Sequence, residues 1–137
     1  MKWTLPNGRS VYRNDFKFLI DWNSKKRSSK GEKAVKQFLF DNCPNHVIYE
    51  EYVLPFRRLR VDFLDTTKKI AIEHQGKQHN NYVEHFHKNR TGYYRSIQRD
   101  TLKLEMLELN GYTLVETYDD DLPLTKKFFL DKYNIKI

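Results

Sequence analysis

Three extended segments follow one another between residues 47 and 75 of this sequence, and they constrain the fold more than any other feature. Residues 47–54 are rich in β-branched and aromatic side chains, and residues 59–64 alternate between two faces. Residues 69–75 form the third segment, and the connection at 65–68 has the length of a hairpin. The second and third segments are therefore expected to be adjacent strands of one sheet.

Helical periodicity lies on both sides of these strands. A first helix is predicted from about residue 29 to 41 and a second at about 93–110, where Gly111 would cap its C-terminal end. A fourth strand is expected at 112–118 and a short helix at 124–133. The predicted core is an α/β fold in the order helix, three strands, helix, strand, with a mixed sheet flanked by helices.

Two carboxylates lie inside strands that are otherwise largely apolar. Asp62 belongs to the segment RVDFL and Glu73 to the segment IAIE, so a hairpin would place them on neighbouring strands. Two carboxylates held close together repel each other unless a cation lies between them. Hard divalent ions such as Mg²⁺ prefer oxygen ligands of this kind. The alternative is two ordinary acids on a solvent-facing side of the sheet.

Polar side chains continue beyond Glu73 at the spacing of a strand. Gln75 and Lys77 are expected on the same side as Glu73, and His79 would follow if the strand continued past Gly76. A neighbouring amide can position the attacking water in a hydrolysis, and an amine can neutralise charge on the substrate. The alternative is a polar strand end before a loop.

Two further charged residues on helices are candidates for the same site. Glu32 shares the buried stripe of the first helix, so it either complements the helix dipole or reaches the sheet as a third acid. Lys103 on the second helix lies three residues after Asp100. The two form either a surface salt bridge or, beside an active site, a pair whose lysine contacts phosphate.

Positive charge is concentrated at the N-terminal end of the sequence. Residues 1–30 hold eight Lys or Arg against two Asp, a net charge of +6, whereas the whole chain carries +7. This favours a polyanionic partner, although a solvated N-terminus also explains it. Because residues 1–23 contain five aromatic side chains, we expect this basic arm, residues 1–28, to dock on the domain formed by residues 29–137. The candidate nucleic-acid-binding residues are Lys25, Lys26, Arg27, Lys30, Arg99 and Lys103.

Other features exclude several classes of protein. Cys43 is the single cysteine, which excludes an intramolecular disulfide and fits a reducing cytosol. With one cysteine, we do not expect a structural zinc site, although His85 and His87 are close in sequence. The apolar runs are too short for a membrane helix, and no secretory signal follows Met1. We expect a cytoplasmic protein without a membrane partner.

Taken together, these residues resemble the PD-(D/E)xK, or restriction-endonuclease-like, superfamily of nucleases, whose common core is αβββαβ. The 70–79 segment IAIEHQGKQH is similar to a motif of small phage and mobile-element nucleases. The QRD at 98–100 and the GYTLV at 111–115 resemble the second helix and last strand of very short patch repair and homing endonucleases. The SKGE at 29–32 and the VDF at 61–63 complete the match.

The resemblance implies phosphodiester hydrolysis in DNA with Mg²⁺, for which Mn²⁺ can substitute, and it makes residues 29–137 the nuclease domain. It also implies that Asp62 and Glu73 are metal ligands and that Glu32 is a supporting acid. Gln75 lies where the superfamily usually has lysine, and His79 lies near a histidine of the patch-repair branch. An amide can orient water but supplies no charge, so Lys77, Lys103 or His79 must compensate. The patch-repair zinc site is expected to be absent.

The leading expectation is therefore an endonuclease of phage or mobile-element type that acts in the host-cell cytoplasm. One alternative is a structure-selective enzyme such as a Holliday-junction resolvase, which would act as a homodimer. A second is a DNA-binding module that has lost catalysis, because Gln75 replaces the usual lysine.

Overall fold

The computed structural model describes residues 1–24, 26–77 and 90–137. Its strands are β1 (Lys2–Thr4), β2 (Ser10–Tyr12), β3 (Ile48–Val53), β4 (Arg60–Asp65), β5 (Ile70–Gly76) and β6 (Thr113–Tyr118). Its α-helices are α1 (Lys30–Asn42), α2 (Arg90–Leu109) and α3 (Lys126–Tyr133). The α/β class is confirmed, and the described elements from α1 to β6 follow the predicted order of helix, three strands, helix and strand. No helix in the described ranges is long and apolar enough to cross a membrane.

One four-stranded mixed sheet organises the protein, with the order β3-β4-β5-β6. The first three strands form an antiparallel meander, in which Phe63 of β4 pairs with Ile72 of β5. Strand β6 lies parallel to β5. A parallel neighbour requires a crossover connection, and α2 lies within the connection from β5 to β6.

Apolar side chains fill both faces of this sheet. On one face, α1 and α3 bury Leu39 and Phe129 against Ile72. On the other face, α2 buries Met106 against a cluster that includes Leu64. The sequence pattern had placed Leu64 on the polar side of β4 with Asp62, but Leu64 is fully buried because α2 covers that side. The alternative of two acids on a solvent-facing sheet is therefore wrong.

The basic arm docks on the domain, as its aromatic content predicted. It forms the β1-β2 hairpin, which the sequence did not predict because three-residue strands are too short to show alternation. Trp3 is 1% exposed and stacks on Tyr112, with 5.4 Å between ring centroids. Its Nε1 donates to the Tyr52 hydroxyl at 2.8 Å, and that hydroxyl donates to buried Asp15 at 2.7 Å.

Candidate active site

The two strand carboxylates lie where β4 and β5 leave their shared ladder. Because Phe63 pairs with Ile72, Asp62 and Glu73 occupy the next positions on adjacent strands. The Asp62 Oδ2 accepts a hydrogen bond of 2.8 Å from the backbone N–H of His74. Asp62 thereby takes a donor from β5, which fixes its carboxylate beside the residue that follows Glu73.

Lys103 of α2 reaches the same end of the sheet. Its ammonium forms an ion pair with the Glu73 carboxylate, and the two side chains are only 12% and 15% exposed. The surface salt bridge of Lys103 with Asp100, one of the two alternatives from the sequence, is not among the ion pairs of the described residues. Lys103 instead faces the sheet because α2 packs over β6 and turns this side of the helix inward.

Helix α1 brings Glu32 to these acids from the other layer. The Ser29 hydroxyl caps the helix by accepting from the Glu32 backbone N–H at 3.1 Å. The residue before Glu32, Gly31, lies so close to β5 that an added Cβ would be 1.9 Å from the His74 Nε2. Glu32 is therefore held at the point where the first turn of α1 meets the sheet.

Burial and mutual repulsion disfavour the charged form of each of the three acids. Burial, followed by the charges of Asp62 and Glu51, raises the pKa of Glu32. Burial raises the pKa of Asp62, against the hydrogen bond from His74 and the charge of Lys103. Burial also raises the pKa of Glu73 in spite of its ion pair with Lys103. Such a cluster is relieved by a bound cation, so its oxygen donors fit a hard divalent ion.

His74 is locked in place by two hydrogen bonds. Its Nδ1 contacts the Thr117 hydroxyl and its Nε2 the Asp119 carboxylate, each at 2.8 Å. On β5, the His74 ring lies against Gly31 of α1, whereas Glu73 pairs with Lys103 of α2. The locked ring explains why only glycine fits at position 31.

We expect Gly31→Ala to destabilise the protein by about 1–3 kcal/mol, the usual cost of overpacking a tight site. An alanine inside a helix is normally more favourable than glycine by up to about 1 kcal/mol. A loss of stability, rather than a gain, therefore identifies the clash. Urea unfolding measures the effect. In a His74→Ala background the same substitution should cost much less, because the ring is gone. An equal cost in both backgrounds would refute a clash with His74.

Of the remaining predicted site residues, one contacts the cluster of Glu32, Asp62 and Glu73, and several are exposed. The Gln75 amide donates to the Glu73 carboxylate at 3.4 Å, so it lies on the predicted side, and Lys77 is exposed. Lys26 contacts Glu51 at 3.7 Å. Exposed positions are also found for Arg27, Lys30 and Arg99. The predictions for Lys25 and His79 lie outside the described residues.

Glu51 is a fourth acid near the cluster that the sequence did not identify. Its charge contributes to the raised pKa of both Glu32 and Asp62. Its backbone has a φ of 48°, and the β3-β4 ladder pairs Glu50 and Tyr52 but passes over the residue between them. Such a local irregularity depends on three-dimensional context, so no spacing in the sequence reveals it.

The described residues contain one group with three potential ligand atoms within 4.8 Å of one another, and it lies elsewhere: Cys43, His46 and Asp65. The Asp65 carboxylate contacts the His46 Nδ1 at 2.6 Å and accepts from the backbone N–H groups of Thr67 and Lys68. Burial raises the pKa of Cys43 to about 11, so it remains a thiol. We assign this group a structural role in fixing the β4-β5 turn.

Comparisons with known proteins find viral relatives. The chain is 26% identical over 121 residues to "Uncharacterized protein 307L" of Invertebrate iridescent virus 6, a match covering 72% of the chain and 60% of that protein. It is 34% identical over 58 residues to "Uncharacterized protein 033L" of Invertebrate iridescent virus 3, which covers 42% of the chain and 30% of that protein. The chain thus spans less than two thirds of either relative. No family model and no solved structure matches.

Proposed function

We propose that this chain is a Mg²⁺-dependent endonuclease of the PD-(D/E)xK superfamily that hydrolyses phosphodiester bonds in DNA. The observation that carries the proposal is the meeting of Glu32, Asp62, Glu73 and Lys103 at one end of the sheet. Acids that repel one another and are partly buried are costly for a fold. They are typical of sites that bind a cation and a phosphate.

Asp62 and Glu73 would hold the metal ion, with Glu32 as the supporting acid. When bound, Mg²⁺ or Mn²⁺ supplies charge that stabilises the phosphate during hydrolysis. The side chains around it have separate tasks. The Gln75 amide can orient the attacking water through its oxygen, but it cannot take a proton from that water near neutral pH.

Gln75 supplies no positive charge at the position where the superfamily usually has lysine. Lys103 is the best candidate to supply that charge. Its ammonium already contacts Glu73, whereas Lys77 is exposed. A lysine on a neighbouring helix can bring the same charge to the substrate as a lysine on the strand. We therefore assign to Lys103 the neutralisation of charge on the phosphate, and to Gln75 a weaker, orienting role.

We expect Lys103→Ala to slow cleavage by about 10²–10³-fold, as loss of one preorganised charge or donor does at other enzyme sites. Gln75→Ala should slow it by only about tenfold, because its contact with Glu73 is long, at 3.4 Å. Initial rates of plasmid nicking measure both, and Lys127→Ala on α3 serves as a control lysine. Normal cleavage by Lys103→Ala, together with a large loss in Gln75→Ala, would show that Gln75 and not Lys103 has the main role in hydrolysis.

A DNA-binding module without catalysis is the second candidate. The ion pair of Lys103 with Glu73 favours it. The Lys103 ammonium can take the place of a cation beside Glu73. Within the described part of the chain, Glu32, Asp62 and Glu73 also do not bring three ligand atoms within 4.8 Å of one another. Substrate and metal would have to draw the acids together for hydrolysis.

Supercoiled plasmid incubated with Mg²⁺, Mn²⁺ or EDTA tests the proposal directly. Nicked or linear product only with a metal ion supports the endonuclease, and a parallel incubation with a four-way junction detects a resolvase. DNA binding without nicking in any metal supports the module. The viral origin of both relatives supports an enzyme encoded by a virus or mobile element. Action in the host cytoplasm is part of the proposal.

A further inference from the structure

A groove lined by arginines runs from the β3-β4 hairpin to α2. Its charged lining consists of Arg57, Arg58 and Arg60 from the hairpin with Arg99 and Lys103 from α2. A second depression extends it along the helix as far as Arg95. Among the described residues, no Asp or Glu lines either depression. We call Arg57, Arg58, Arg60 and Arg99 the arginine groove.

No described residue neutralises the guanidinium groups of this groove. The side chains of Arg58, Arg60 and Arg99 are exposed and form no ion pair or hydrogen bond with described residues. Arg57 stacks its guanidinium on Phe56, with 5.4 Å to the ring centroid. Like charges gathered in this way repel one another, and a bound anion would relieve that repulsion. Guanidinium is also the group best suited to bidentate contact with phosphate.

The hairpin tip holds two of these arginines in an unfavourable backbone conformation. Arg57 and Arg58 both have a φ of 53°, and the Leu59 N–H bonds to the Phe56 carbonyl at 3.2 Å. Positive φ at both central residues is the geometry of a type I′ turn, which favours Asn-Gly. Side chains with a Cβ are disfavoured there. Two arginines at these positions therefore point to a need for their charge.

The groove ends at the candidate active site, because Lys103 belongs to both. The same ammonium that lines the groove contacts Glu73. We infer that the arginine groove binds the phosphate backbone of a DNA duplex and guides one strand to the carboxylates beside Lys103. This inference rests on the proposed function. It gives the body of the domain a share of DNA binding that the sequence assigned mainly to the basic arm.

Binding without cleavage provides the test. The probe is a short fluorescein-labelled DNA duplex, titrated in EDTA at several salt concentrations and followed by fluorescence anisotropy. Arg57→Gln/Arg58→Gln should weaken binding at low salt by about tenfold per lost phosphate contact. The plot of log affinity against log salt should become shallower by about 0.9 per contact. Arg57→Asn/Arg58→Gly removes the same charges but suits the turn, so it should bind as weakly while melting at a higher temperature. Lys126→Gln/Lys127→Gln on α3 is the charge-matched control.

The outcomes of these experiments separate the groove from the nuclease proposal. An unchanged salt slope in the arginine variants, or a loss no greater than in the α3 control, overturns the groove. Groove-dependent binding of an RNA duplex but not of DNA overturns the DNA assignment. Groove-dependent DNA binding by a wild-type protein that never nicks plasmid with Mg²⁺ supports the groove and refutes the nuclease. Normal cleavage and binding by the arginine variants refute the groove alone.

Discussion

Asp62→Asn is expected to abolish metal-dependent cleavage, with a loss of about 10³-fold or more. Removing a metal ligand forfeits several kcal/mol of stabilisation of the transition state, and each 1.4 kcal/mol is about a factor of ten in rate. Glu73→Gln should have a similar effect. Plasmid nicking with Mg²⁺ measures both, and Glu105→Gln, an exposed acid on α2, is the matched control. Cleavage by Asp62→Asn within about tenfold of wild type would show that Asp62 is not a ligand.

The same variant should fold at least as well as wild type near neutral pH. Burial raises the pKa of Asp62, so this group favours folding at low pH and loses that contribution as pH rises through its raised pKa. Asparagine has no charge to bury, and its side-chain oxygen can still accept from the His74 N–H. Melting temperatures of the two proteins near neutral pH check this. A purely structural Asp62 would instead give a variant that melts lower.

Trp3→Ala is expected to destabilise the protein by about 3–5 kcal/mol, the range for deleting a buried aromatic side chain. Trp3 is 1% exposed and packs between two rings, Tyr52 at 5.8 Å and Tyr112 at 5.4 Å. The substitution leaves a cavity and removes the donor to the Tyr52 hydroxyl. Urea unfolding measures the loss.

Two other variants separate the causes of this loss. Trp3→Phe keeps an aromatic ring but loses the hydrogen bond, so it should cost markedly less than Trp3→Ala. Trp22→Ala, which removes a half-buried ring packed on Phe40, should also cost less. If Trp3→Ala costs no more than Trp22→Ala, the arm is a peripheral attachment and residues 29–137 fold without it.

Elements set by local periodicity were predictable, and contacts between distant elements were not. The stripe containing Val35 and Leu39 predicted α1, and the alternation around Asp62 predicted β4. The ion pair of Lys103 with Glu73 depends on the rotation of α2 about its axis, which no local pattern fixes. Glu32 was left open between two roles for the same reason: whether it reaches Asp62 depends on how closely α1 approaches the sheet.

The arginine groove illustrates a different limit. Arg57 and Arg58 are adjacent in sequence and read as an ordinary polar loop, whereas Arg99 is more than forty residues away. Only the hairpin, which turns back over α2, brings them into one lining. The strained φ of the two hairpin residues is likewise visible only in the structure, because sequence preferences would have placed Asn-Gly there.

The burial of Trp3 also affects the order in which the chain can fold during synthesis. Its stacking partner Tyr112 lies 109 residues later, and the two belong to one core cluster. Contacts this distant in sequence form late, because a long loop must close before they are made. On the ribosome, β1 is therefore made before α2 but reaches its place only after α2 and Tyr112 have emerged. Until then its indole lacks the ring that stacks on it in the folded protein.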